Sequence, residues 1–149
     1  MRIPLASTFA AALAFLAAPA AAQWFYDPGP LSSGQAIGMG ERGLSVVVEC
    51  GNGGLPAVLV KGYDPGAESD IFVWEVDSYG EQLIAAQCTG GSCLLEFDSM
   101  EMAESTVEGL RIGSLLKLGL YRRGELGNVR LNGSDTAISQ VLARDCGFF

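Results

Sequence analysis

The side chains able to do chemistry are few: 17 Asp/Glu, 9 Lys/Arg, four cysteines and no histidine. The lack of histidine removes the Ser–His–Asp triad and every mechanism that needs an imidazole base or ligand. Only Lys61 and Lys117 could serve as amine bases, and neither lies in a Ser-x-x-Lys motif. Paired carboxylates are the remaining route, since two acids can act as acid and base or nucleophile. Strand alternation would put Glu75 with Asp77, and Glu96 with Asp98, on common faces. Their plainer role is to line the wet side of a one-sided sheet. Asp64, Glu68 and Asp70 bring hard oxygen donors close together and form the one calcium candidate. They lack the twelve-residue calcium-loop pattern, so a solvated acidic turn is the simpler reading. Gly51-Asn52-Gly53-Gly54 is not followed by Gly-Lys-Ser/Thr and does not make a phosphate loop. The sequence therefore predicts no enzyme, no cofactor and no metal centre.

The cysteines point to a compartment rather than a reaction. Cys50, Cys88, Cys93 and Cys146 contain no Cys-x-x-Cys, which argues against thiol redox catalysis. A four-cysteine zinc site would want two close pairs, and only one pair is close. An even count in an exported chain favours disulfides, and four cysteines allow three pairings. The favoured set is Cys88–Cys93, closing a loop over Thr89-Gly90-Gly91-Ser92, with Cys50–Cys146, tying an early strand to the C-terminal segment. Buried free thiols are the alternative.

Export is predicted from residues 1–22. Arg2 is followed by an uncharged, Ala-rich run from Leu5 that ends in Ala20-Ala21-Ala22, the order of a cleavable secretory signal. Pro19 interrupts the run, and a membrane span would need about 20 strongly apolar residues. Cleavage after Ala22 would leave 127 residues, enough for one domain. It would also remove Arg2, leaving 8 basic against 17 acidic side chains, a formal charge of −9. Such a surface repels nucleic acid and anionic lipid.

Positioning elements follow from periodicity. Leu44–Cys50 alternates, with Leu44, Val46, Val48 and Cys50 on one face and Ser45, Val47 and Glu49 on the other. A turn at residues 51–54 leads to a returning strand over 55–60, and a third strand covers 71–77. Shorter strands are predicted over 82–88 and 93–97, around Leu116–Leu120 after a helix near 103–110, and at Val129–Leu131 after a turn at Arg123-Gly124-Glu125. Ala137, Ile138, Val141 and Leu142 recur at helical spacing, so a second helix is expected over about 135–145. Ser134 or Asp135 would cap its start. Residues 23–43, rich in Pro, Gly and Ser, read as an irregular lead-in. The predicted architecture is mainly β: a compact antiparallel β-sandwich or half-barrel over residues 44–149, with a short internal helix and a C-terminal helix.

Two clusters are candidate partner contacts. Trp24-Phe25-Tyr26 is an aromatic group that could form an exposed binding tip or cover the core. Arg122 and Arg123, with Arg130, could form a basic patch in an acidic chain. Phe148 and Phe149 could pack onto the core or meet a partner.

Residues 44–62 and 105–146, with the Leu44–Cys50 strand, the Leu131-Asn132-Gly133-Ser134 turn, Ala137-Ile138 and Cys146, resemble small uncharacterised proteobacterial periplasmic domains. They are remotely similar to periplasmic accessory proteins associated with type VI secretion. The resemblance implies a β-rich periplasmic fold with Cys50 near the final helix and bonded to Cys146. It carries over no catalytic residue. The expected function is a non-catalytic protein-binding or envelope-complex accessory domain, its partner another periplasmic or envelope protein. The alternative is a binder of a small ligand or glycan, including an inhibitor of a cell-wall-degrading enzyme.

Overall fold

In the computed structural model the described residues are 23–29, 34–51, 55–64, 66–144 and 146. The predicted signal at 1–22, most of the 51–54 turn and the Phe148-Phe149 pair lie outside them. Nine strands form one antiparallel sheet: β1 (Trp24–Asp27), β2 (Gln35–Met39), β3 (Ser45–Cys50), β4 (Pro56–Lys61), β5 (Ser69–Val76), β6 (Gly80–Thr89), β7 (Ser92–Leu95), β8 (Leu115–Leu120) and β9 (Gly124–Arg130). Helix α1 (Met100–Ile112) precedes β8, and α2 (Ser134–Leu142) follows β9. The sheet order is β1-β2-β3-β4-β7-β6-β5-β8-β9. The mainly β class, the internal helix and the C-terminal helix are as the sequence predicts.

Alternation sets the inner face. Val46 and Val48 on β3, Val58 and Val60 on β4, Phe72 and Trp74 on β5, and Leu116 and Leu118 on β8 are all buried in one core. Both helices lie on that side. Ala137, Ile138, Val141 and Leu142 bring the apolar stripe of α2 into it, and Val107 and Leu110 do the same for α1. An amphipathic helix buries such a stripe only against another element, here the concave side of the sheet. Ser99 caps α1 by accepting a hydrogen bond from the Met102 N–H (3.1 Å).

The sheet curls until its two edges meet. Gly40, just past β2, bridges to Val129 on β9. The backbone N–H groups of Gln23 and Trp24 both donate to the Asn132 carbonyl at 3.2 Å. The Trp24 indole N–H donates to the Arg130 carbonyl at 3.0 Å. The result is a half-barrel stitched along one end and filled by side chains from both helices.

Three expectations are corrected. Residues 23–43 are not an irregular lead-in: β1 and β2 are regular strands and part of the domain. Pairing overrides local composition here, because Ala36 sits opposite Val48 and Ile37 opposite Val47. The cap of α2 is Gly133, in the left-handed conformation (φ 82°), rather than the side chain of Ser134 or Asp135. The last hairpin turns at residues 121–123, and Gly124 already opens β9.

Both favoured disulfides are present. Cys50 joins Cys146 with Cα atoms 5.3 Å apart, linking the end of β3 to the segment after α2. Cys88 and Cys93 sit opposite each other on β6 and β7 and are bonded. Their hairpin turns on Gly90 and Gly91, with φ of 58° and 78°. That pair of positive φ values gives the turn whose twist matches antiparallel strands, which glycine adopts without strain.

Candidate partner-binding surface

The three N-terminal aromatics alternate along β1 and do different things. Trp24 points inward and is 3% exposed, which makes it a core residue. Phe25 points outward and is 49% exposed. Tyr26 is half-buried at the end of the strand, with the Arg144 guanidinium 5.7 Å from its ring centre. The cluster is therefore not one binding tip; Phe25 alone offers an open apolar surface.

Register places Phe25 at one end of a longer feature. It lies opposite Ile37, Ile37 opposite Val47, Val47 opposite Leu59 and Leu59 opposite Leu94. Five apolar side chains from five strands thus form one row across the convex face. Leu94 is 43% exposed at the far end. Val47, at the centre, is 2% exposed yet belongs to none of the inner core that holds Val46 and Val48. Neighbouring positions in a sheet face of this kind are about 5 Å apart, so the five side chains touch in sequence.

Mainly polar residues flank the row, with Ala57 and Met39 the apolar exceptions. On one side the same strands carry Asp27, Gln35, Glu49 and Ala57; on the other, Met39, Ser45, Lys61 and Ser92. Gln35 Nε2 donates to the Glu49 carboxylate at 2.5 Å. Glu96, two residues beyond Leu94 and exposed, falls on the acidic side.

The basic candidates are largely occupied. Arg123 ion-pairs with the Asp70 carboxylate, which also accepts from the Tyr63 hydroxyl (3.3 Å) and the Ile71 N–H (2.9 Å). Burial pushes the Asp70 carboxyl up, but Arg123 and these hydrogen bonds outweigh it and hold it below the usual carboxylate range. Burial likewise raises the Tyr63 phenol. Arg122, in the left-handed conformation, stacks 5.0 Å over the Tyr121 ring.

The acidic candidates separate. Asp64 accepts from the Gly66 N–H (2.9 Å) as a turn residue, and Asp70 is held by Arg123. Among the described residues no group of three possible metal ligands occurs. Asp77 accepts the Ser114 and Leu115 N–H groups at 2.7 and 2.9 Å, so it fixes the entry to β8. Those backbone hydrogen bonds hold its carboxyl below the usual range. Glu75 faces outward, with Lys117 Nζ at 3.7 Å, and does not pair with Asp77. A groove of about 470 Å³ runs past Asp70, Ile71, Gln87, Glu96 and Tyr121.

Sequence reasoning missed Ile37, Leu59, Leu94 and Lys61. The available signal was an apolar residue at the wet-side position of a predicted strand, such as Leu59 between Ala57 and Lys61. No helix of the described residues is long and apolar enough to cross a membrane. Comparison of the chain with protein-family models, curated proteins and solved structures finds no match.

Proposed function

We propose that this protein is a non-catalytic periplasmic domain that binds another protein of the cell envelope through the convex face of its sheet. The observation that carries the reading is the apolar row Phe25–Ile37–Val47–Leu59–Leu94, exposed at both ends at Phe25 and Leu94 and flanked mainly by polar residues. Apolar patches with polar rims mark interaction sites on soluble proteins. The two disulfides fit an oxidising compartment, in agreement with the export signal expected at residues 1–22.

A photoreactive amino acid at position 94, introduced in exporting cells of the native host, tests the proposal against the same probe at exposed position 104 on α1. One discrete protein adduct from position 94, absent from 104 and lost on Phe25→Asp, is the expected result. No adduct from 94, or the same adducts from both positions, would overturn it.

A second reading, a small-ligand or glycan binder, draws on the groove beside Tyr121, where an exposed aromatic ring adjoins Asp70, Gln87 and Glu96. Ligand-induced fluorescence or NMR shifts that vanish in Tyr121→Ala would favour it.

A further inference from the structure

We infer that the groove beside Leu94 receives a basic side chain, a lysine or arginine flanked by apolar residues, from the protein that binds the convex face. The inference rests on that face being the binding surface and adds the chemistry of the partner segment that anchors there.

Register builds the groove. Ile71 on β5 stands opposite Ala85 on β6. The ladder runs on past the strand ends, where the Tyr121 N–H donates to the Ile71 carbonyl (2.9 Å) and the Glu96 N–H to the Ala85 carbonyl (2.8 Å). Their chain neighbours Phe72, Ile84, Leu95 and Leu120 are all buried in the core. By alternation Tyr121, Ile71, Ala85 and Glu96 therefore face outward, side by side across four segments. Ala85 has the smallest side chain of the four and makes the floor. Ile71 and Tyr121 form one wall, and Glu96 forms the other, about 5 Å from Ala85 by strand spacing. Gln87, the next outward residue on β6, stands opposite Leu94, so the groove opens onto the end of the apolar row.

Exposed apolar surface gathers around this alanine. Ile71, Leu83, Leu94 and Tyr121 are each between 40% and 49% exposed. A partner covering them also takes Glu96 out of water. Among the described residues Glu96 is exposed and forms no ion pair. The cations of the adjoining strand and turn are already engaged: Lys117 with Glu75, Arg123 with Asp70, and Arg122 over the Tyr121 ring. None is left to neutralise Glu96, and a carboxylate buried without a counter-charge opposes binding strongly. A basic residue from the partner removes that penalty, and its aliphatic stem suits the apolar floor and wall. The chain's formal charge of −8 favours the approach of the same kind of segment.

The probe is the peptide acetyl-Leu-Lys-Leu-amide, titrated into the isotope-labelled full gene product, exported and purified with both disulfides formed, and followed by NMR. Dissociation at about 1–10 mM is expected for so short a peptide, with the shifted amides at Ala85, Gln87 and Glu96. Peptides with Gln or Glu in place of Lys should bind at least threefold and at least tenfold more weakly. Glu96→Gln, at an exposed position, should bring the Lys and Gln peptides to within about twofold of each other with Tm unchanged. Glu96→Lys should reverse the preference toward the Glu peptide. Equal affinity for the Lys and Gln peptides, a lysine preference that survives Glu96→Gln, or no shifts up to about 20 mM peptide would overturn the inference. Shifts at the same amides from tri-N-acetylchitotriose, with none from the peptides, would also overturn it and give the groove to a glycan. If the peptides fail while the position-94 probe still yields its single envelope adduct, the binding face stands and only its basic anchor is lost. If both fail, both readings fall.

Discussion

Trp24 occupies the space that Gly38 leaves open on the facing strand by having no side chain. The two are opposite in register, and a Cβ on Gly38 would overlap the indole ring. With the indole N–H donating to the Arg130 carbonyl across the seam of the half-barrel, this one tryptophan ties edge strand β1 to the opposite edge, β9. Gly38→Ala should therefore cost about 1–3 kcal/mol by overpacking, and Trp24→Ala about 3–5 kcal/mol by leaving a cavity. Urea denaturation measures both. A change below about 0.5 kcal/mol for Gly38→Ala would mean that the ring lies elsewhere.

The two disulfides should differ in their contribution. In the chain-entropy model a closure spanning 96 residues stabilises by about 4–5 kcal/mol, and one spanning 5 residues by about 2 kcal/mol. The Cys50→Ala/Cys146→Ala variant should thus lose more stability than Cys88→Ala/Cys93→Ala. Equilibrium urea melts of both variants under non-reducing conditions test the order, and the reverse order would contradict it.

Acid should weaken the fold through Asp70 and Asp77. Both have folded-state pKa values below the ordinary aspartate value, so each stabilises fully above about pH 4. As pH falls through the lowered folded values, the native state must take up protons that the unfolded chain has already bound, and that stability is lost. Urea midpoints between pH 6 and pH 2 should fall steeply below pH 4. Asp70→Asn combined with Asp77→Asn should flatten that limb, and an unchanged slope would assign it to other carboxylates.

Ser134 opens α2 with a buried hydroxyl that has no hydrogen-bond partner among the described residues. An unsatisfied buried polar group costs about 1–3 kcal/mol. Ser134→Ala should accordingly leave stability unchanged or raise it by about 1 kcal/mol, read as a higher Tm. A loss above about 1 kcal/mol would reveal a partner for the hydroxyl.

What could be read from the sequence was local. The strand at Leu44–Cys50 and the apolar spacing of Ala137, Ile138, Val141 and Leu142 signal their conformations within a few residues, because alternation and helical period are short-range patterns. β1 and β2 were not legible. They are four and five residues long, Pro28 closely follows the first, and Gly38 lies inside the second, so their conformation comes from β2 pairing with β3 and β1 pairing with β2. The convex row was less legible still. Phe25, Ile37, Val47, Leu59 and Leu94 span 70 positions, and only the register of four strand pairs makes them neighbours. Val47 shows the limit well: alternation assigned it to the outer face beside Ser45 and Glu49, yet could not reveal that it is buried there. Arg123 reads as a free surface cation until the fold brings Asp70, 53 residues away, against it.

The Cys50–Cys146 bond also sets an order of events in biogenesis. Cys88 and Cys93 lie between the two bonded positions, so a chain emerging from its N-terminus presents them to an oxidant before Cys146 arrives. Cys50 meets two reactive thiols first, and pairing with either would trap a non-native loop. The Gly90-Gly91 hairpin counters this by bringing Cys88 and Cys93 together locally, in about 1–10 µs of hairpin closure, well before the slower oxidation step. The two-glycine turn thus favours the local pair and leaves Cys50 for the last partner to arrive.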